Sequence, residues 1–118
     1  SNNNKSKILI VTQYNETEDN IKKFLNNCNK SHISISKKIK KKNLNSYNII
    51  LLNYHNIKYL LEIKNLSYLL FFEPLYFSNY ITDKIESEII GKINNDFNIN
   101  LKIITLGFKN TIDEKFLI

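Results

Sequence analysis

An open α/β fold, with a mostly parallel sheet of about five strands and helices on both faces, is predicted by three observations. Short apolar runs without alternation recur along the chain, as at Ile8–Val11, Ile49–Leu52 and Leu69–Phe72, and such runs suit strands buried on both faces. Between them lie segments with helical spacing of apolar residues, the strongest being Ile21, Phe24, Leu25 and Cys28. The two kinds of segment alternate, which argues for parallel strands joined by crossovers rather than for hairpins.

The first strand is predicted over Lys7–Thr12. Asn15 followed by Glu18 reads as a capping box, and the acids of the first turn suit the helix dipole, so a helix is expected from about Glu16 to Asn29 with Cys28 on its core face. His32–Ser36 alternates Ile33 and Ile35 with serines, as a half-exposed strand near a sheet edge does. Lys37, Lys38, Lys40, Lys41 and Lys42, around Ile39, form a solvated connection. Asn48–Asn53 is the third strand, and Ile57, Leu60 and Leu61 give the stretch from His55 to Ile63 the look of a short helix or irregular crossover.

Ser67–Phe72 is the fourth strand, ended by Glu73-Pro74 because proline cannot continue a central ladder. Ser78 is the expected N-cap of a helix carrying Ile81, Ile85, Ile89 and Ile93 on one stripe, interrupted by Gly91 at a cost of about 1 kcal/mol relative to alanine. Leu101–Leu106 is the fifth strand, and Thr111-Ile112-Asp113-Glu114 repeats the capping-box pattern. So short a final helix does not hold alone, and its continuation in a longer parent protein is expected. Residues 1–6 read as a disordered tail and 7–118 as one domain, since 118 residues suffice for one core and not two.

Asn, Lys and Ile make up nearly half the chain and Arg and Ala are absent, the mark of a very AT-rich genome, so the net charge of +6 is a weak guide to partners. Its distribution says more: residues 5–64 hold twelve Lys against four acids, and residues 65–118 five Lys against seven. A one-sided basic surface is expected. The single cysteine excludes an internal disulfide, and His32 and His55 have no metal-ligand spacing, so an intracellular, metal-free domain is expected. No apolar stretch reaches the ~20 residues of a membrane span, and no membrane partner is expected.

In open α/β sheets ligands gather beyond the carboxyl ends of the strands. Those ends are Thr12-Gln13-Tyr14, Asn53-Tyr54-His55, Glu73-Pro74 and Leu106-Gly107, and none carries the glycine-rich run that cradles phosphate. A phosphorelay receiver would need acids where Thr12-Gln13 and Asn53 stand. His55 lacks a nucleophile to serve, and Cys28 reads as a small core residue. Tyr14, Tyr54, Tyr76 and Phe77 are placed to stack on a ligand, while Phe24, Phe71 and Phe72 fall in core patterns.

The order of segments resembles the second, C-terminal helicase lobe of Swi/Snf-type ATPases. Lys7-Ile8-Leu9-Ile10-Val11-Thr12-Gln13-Tyr14 is similar to the first strand of that lobe, and Asn48–Asn53 to the strand before the fifth helicase motif. The run Leu69–Pro74, then Glu88-Ile89-Ile90-Gly91-Lys92-Ile93, then Leu101–Thr105 and Thr111–Lys115 resembles the closing third of the lobe, and the stretch from Asn48 through Glu73-Pro74 is similar without gaps to the RING-bearing Swi/Snf-type ubiquitin ligases. The resemblance implies a RecA-like fold and a nuclear role in DNA repair or chromatin remodelling. It also implies an N-terminal lobe as partner, ATP with Mg bound only by the parent protein, and double-stranded DNA as a possible ligand.

On that resemblance Gly91 and Lys92 stand at the nucleotide-binding sixth motif, and Gln13, Tyr14, Lys37, Lys38, Lys40, Lys41, Lys42, Tyr54 and His55 are the candidate DNA contacts; no residue is assigned a catalytic role. The departures are specific. The glycine-rich fifth motif is replaced by Tyr54-His55-Asn56-Ile57-Lys58-Tyr59-Leu60, and the arginines of the sixth by Lys92 and Asn95. A degenerate lobe, inactive in isolation, is the expectation. The alternative is a non-catalytic α/β protein-interaction module, which upstream sequence lacking a Gly-Lys-Thr motif would favour.

Overall fold

The computed structural model describes residues 6–72 and 79–105. Five parallel strands form one sheet: β1 (Ile8–Thr12), β2 (Ile33–Ser34), β3 (Ile49–Asn53), β5 (Tyr68–Phe71) and β7 (Lys102–Thr105), in the order β2-β3-β1-β5-β7. Two further strands, β4 (Ile63–Lys64) and β6 (Ile93–Asn94), pair with each other in a separate parallel ladder. The predicted α/β architecture is therefore observed, with β1 central and β2 at an edge.

The apolar runs explain the layers. Side chains alternate between the faces of a strand, so Leu9 and Val11 of β1, Ile50 and Leu52 of β3, and Leu69 and Phe71 of β5 point to one side. There they meet Leu44, Leu60, Ile63, Leu66, Ile85 and Ile89 in the larger core. Ile10 and Leu51 point to the other side and pack on Leu25, with Ile8, Ile21, Ile49, Leu70 and Phe72 around them. That second layer is α1 (Asn15–Asn27), while α2 (Lys41–Leu44) and α3 (Asn79–Ile90) supply Leu44, Ile85 and Ile89 to the first. Helices therefore lie on both faces.

Several local expectations are corrected. Asn15 does not cap α1: it is the first helical residue, Tyr14 takes the N-cap position without a capping side-chain bond to the helix, and the Glu18 amide donates to Tyr14 O at 3.2 Å. Cys28 sits past the helix end as its C-cap and is exposed, and Phe24 is 65% exposed, so only Ile21 and Leu25 of the predicted stripe reach the core. The lysine-rich connection is not wholly irregular, since Lys41–Leu44 forms one helical turn that buries Leu44. Gly91 ends α3 rather than interrupting it, and Ile93 leaves the helical stripe to pair with Ile63. The Gly91 and Lys92 amides still reach back to Ser87 O and Ile89 O.

Asparagines bind the lower edge of the sheet together. Asn45 Oδ1 accepts from the Lys64 amide at 2.7 Å and from Lys7 Nζ at 3.2 Å, while its Nδ2 donates to Glu62 O at 2.9 Å. Asn95 both donates to Leu66 O and accepts from its amide, each at 2.8 Å, and Asn65 Oδ1 accepts from the Asp96 amide at 2.9 Å. Burial pushes the Lys7 ammonium below its ordinary pKa, with Lys64 adding repulsion. The expectations for the tail through Lys5, Glu73-Pro74, Tyr76, Phe77, Ser78, Leu106-Gly107 and Thr111–Glu114 lie outside the described residues.

Candidate functional site

Because the five strands are parallel, their carboxyl ends share one edge of the sheet. The β1–β3 register sets Thr12 beside Asn53, both 1% exposed, so the chain emerges from the two strands at adjacent points. Asn53 organises the exit from β3. Its Nδ2 donates to Asn15 Oδ1 at 2.8 Å, tying β3 to the start of α1, and its Oδ1 accepts from the His55 amide at 2.9 Å, capping a 3-10 segment over Tyr54–Tyr59. Asn56 Nδ2 donates to Ile35 O at 3.4 Å, which joins that segment to the exit of β2.

These bonds gather part of the predicted contact set. Gln13 and Tyr14 leave β1, Tyr54 and His55 leave β3, and Ser36-Lys37-Lys38 leaves β2, all at this edge. Tyr14 is 48% exposed, His55 is exposed, and the Tyr54 and His55 rings lie 5.5 Å apart at 59°. Lys37, Lys38, Lys40 and Lys42 are exposed, but Lys41 is a special case. Its Nζ lies 2.6 Å from Glu62 Oε1, and that bond, with another from Asn94, holds the Glu62 carboxyl below the usual glutamate range. Lys41 is therefore engaged within the chain by Glu62.

Gly91 and Lys92 are not brought to this edge. They end α3 just before β6, whose partner β4 lies near the start of β1 through the bond from Lys7 Nζ to Lys64 O at 2.7 Å. There they line a cleft of about 330 Å³ with Ile57, Lys58, Leu60, Ser87 and Glu88. The Tyr54–Leu60 and Gly91-Lys92 segments thus face each other across one cleft, with the Tyr54–Tyr59 segment joining it to the strand-end cluster.

Sequence reasoning missed Asn53, Asn15 and Asn56 as the organisers of the strand ends, and Lys58 and Glu88 as neighbours of Lys92. A signal existed only for Asn53, a polar residue at the end of an apolar strand. Asn15, Asn56 and Lys58 depend on contacts between residues 20 to 40 positions apart, while Glu88 lies one helical turn before Lys92. Among the described residues no group of three or more His, Cys, Asp or Glu is placed to hold a metal ion, and no helix is long and apolar enough to cross a membrane.

No protein-family model matches the chain, and no curated protein matches it. Solved structures do. The C-terminal part of the Fun30 ATPase domain superposes with a TM-score of 0.66 over 95% of this chain, at 13% sequence identity. The chain spans 38% of the length of that structure. At this identity the likeness is one of fold, and it bears out the five-stranded parallel α/β architecture similar to a RecA-like lobe.

Proposed function

We propose that this chain is a degenerate helicase-like C-terminal lobe of Swi/Snf type, which packs against a first lobe and holds double-stranded DNA through its phosphates. The observation that carries the reading is the cleft in which Tyr54–Leu60 and Gly91-Lys92, which the resemblance aligns with two helicase motifs, come together on a fold similar to that of the solved ATPase part. The neighbouring fold is, by its name, part of an ATPase domain. Segment spacing from Asn48 to Pro74 points further to the RING-bearing ubiquitin-ligase branch, and with it to a nuclear role in repair or chromatin remodelling.

In this reading the cleft bears on the partner lobe, and ATP with Mg would be held only between two lobes of a parent protein. Lys58 and Lys92 offer point charges to such a ligand, in place of the planar guanidinium fork that matches phosphoryl oxygens. The strand-end edge, with Tyr14, Tyr54 and His55 beside Lys37 and Lys38, bears on DNA. A non-catalytic protein-interaction module is the second reading. It is favoured by the 3-10 segment, whose His55 and Leu60 amides are already engaged within the chain rather than presented to phosphate.

Titration of fluorescently labelled duplex DNA with the purified chain tests the choice. Binding that weakens steeply with salt and is lost in a Tyr54→Ala, His55→Ala variant of unchanged Tm supports the DNA-facing lobe. Absence of binding at low salt, both alone and when the chain is joined to a first lobe, refutes it.

A further inference from the structure

In the basic run, Lys41 already has a carboxylate of its own chain standing where a phosphate would stand. Its Nζ lies 2.6 Å from Glu62 Oε1, and the two side chains keep 55% and 35% of their surface in solvent. Both backbones are fixed. The Asn45 amide and Asn45 Nδ2 each donate to Lys41 O at 3.1 Å, and the same Nδ2 donates to Glu62 O at 2.9 Å. The fold thus sets the two residues opposite each other, and only side-chain torsions separate the closed pair from an open one. Opening does not strand the carboxylate. Glu62 Oε2 accepts from Asn94 Nδ2 at 3.2 Å, and the Lys64 charge acts on the same group. A fully buried pair would be a permanent brace, because release would leave an uncompensated charge in the interior. A solvated pair of this kind shifts an equilibrium by up to about fivefold, enough to bias a binding site and too little to lock it.

We propose that Glu62 is a built-in competitor for phosphate at Lys41, an autoinhibitory contact that withholds one cation of the basic run from an anionic polymer. Carboxylate and phosphate draw on the same positive charge. While Glu62 is in place, a phosphate at Lys41 gains little net attraction and displaces few counterions. Lys40 and Lys42, on either side in the chain, are exposed and show what Lys41 would offer without its partner. Glu62 is a positioning residue in this scheme: it touches the lysine and not the ligand. The inference rests on the reading of the run as a phosphate contact, and it deepens that reading by assigning the residue that limits its strength. It needs no partner lobe and no ATP.

The test titrates the full chain with labelled duplex DNA and, in parallel, with labelled linear polyphosphate across a salt series. Glu62→Gln keeps the shape of the side chain and an acceptor for Asn94 while removing the charge. It should steepen the slope of log K against log salt on DNA by about 0.9, one further contact, and raise affinity at low salt about two- to fivefold. Adding Lys41→Gln to that variant should cancel both gains, and Asp83→Asn, the same charge change at an exposed site on α3, should leave the slope as it was. An unchanged slope in Glu62→Gln, gains that survive Lys41→Gln, or equal steepening in Asp83→Asn each overturn the proposal and leave the DNA reading standing. Binding to polyphosphate but not to duplex sinks the DNA reading alone, and the polyphosphate slopes then decide the inference. Binding to neither polymer overturns both. A second measurement needs no polymer: under limiting acetic anhydride, read by mass spectrometry, Lys41 of the unaltered chain should acylate about two- to fivefold more slowly than Lys40 and Lys42. Equal rates at the three lysines also overturn the proposal.

Discussion

If the basic run binds duplex DNA, its salt dependence is set by the lysines the fold leaves unpaired. Lys37, Lys38, Lys40 and Lys42 are exposed, while Lys41 lies 2.6 Å from the Glu62 carboxylate. Each neutralised phosphate contributes a slope of about −0.9 to log K against log salt, so four contacts give about −3.6, or about two powers of ten in affinity between 50 and 200 mM. Charge reversal of those four residues should remove that slope together with most of the affinity in a fluorescence-anisotropy titration. Lys41→Ala should leave the slope unchanged. Lys23→Glu and Lys30→Glu, on α1 and the loop after it, control for net charge. If the control pair flattens the slope as much per charge as the run does, binding is diffuse attraction to a basic protein. If Lys41→Ala lowers it by a full contact, the division of the run into four binding lysines and one structural lysine is wrong.

Other consequences concern the framework and the cleft. Asn53→Ala should cost about 2–3 kcal/mol by urea denaturation, through loss of two partly buried hydrogen bonds, those to Asn15 and from the His55 amide. A value under about 0.5 kcal/mol would mean that Asn53 does not organise the strand ends. Glu62 has a depressed folded-state pKa, so its contribution is complete above the ordinary value and is lost as pH falls through the folded one. Glu62→Gln should therefore flatten the fall of Tm with acid below about pH 4.5 and alter the profile little above it. Asn29 has a φ of 56°, which glycine adopts freely and β-branched residues resist. Asn29→Gly should be close to neutral and Asn29→Val should cost about 1–2 kcal/mol in the same denaturation assay. Finally, if the chain pairs with a first lobe as proposed, Lys92→Ala in a protein joining the two should change ATP turnover by no more than a few fold, whereas an intact arginine-type contact is worth about 10³ to 10⁵.

The parts of the fold that were legible are those where a physical constraint acts on consecutive residues. Burial on both faces requires an unbroken apolar run, and β1, β3 and β5 each carry one, so their positions could be read directly from the sequence. Periodicity reads less well at a helix that is only partly covered. Phe24 and Cys28 keep the spacing of Ile21 and Leu25, yet the groove beside α1 leaves Phe24 exposed and the helix ends before Cys28. The β4–β6 ladder has two residues in each strand, too few for any period to show, and its formation turns on Asn65 and Asn95 rather than on apolar patterning. Of the candidate contacts, the strand-end residues fell where parallel topology puts them. The pairing of Lys41 with Glu62, and of the Lys92 cleft with Lys58, joins segments whose approach no local pattern encodes.

The asparagine content carries a further lesson about composition. Asparagine spread by nucleotide bias reads as surface filler, yet Asn45, Asn53, Asn65 and Asn95 each bond to backbone across turns or between segments. A carboxamide can donate and accept at once, so one residue satisfies two backbone groups that a strand end or a short ladder leaves open. The same chemistry bears on the Tyr54–Leu60 segment. A phosphate-binding loop presents unengaged amides, which glycine makes possible by letting the backbone approach the ligand. Here Asn53 takes the His55 amide and Ile57 O takes that of Leu60, closing the Tyr54–Tyr59 segment on itself. The segment is thus a brace between β3 and the α3 cleft rather than a loop that would address a ligand. If the chain is the degenerate lobe proposed above, it can keep the contacts that orient a lobe while lacking those that transfer phosphate.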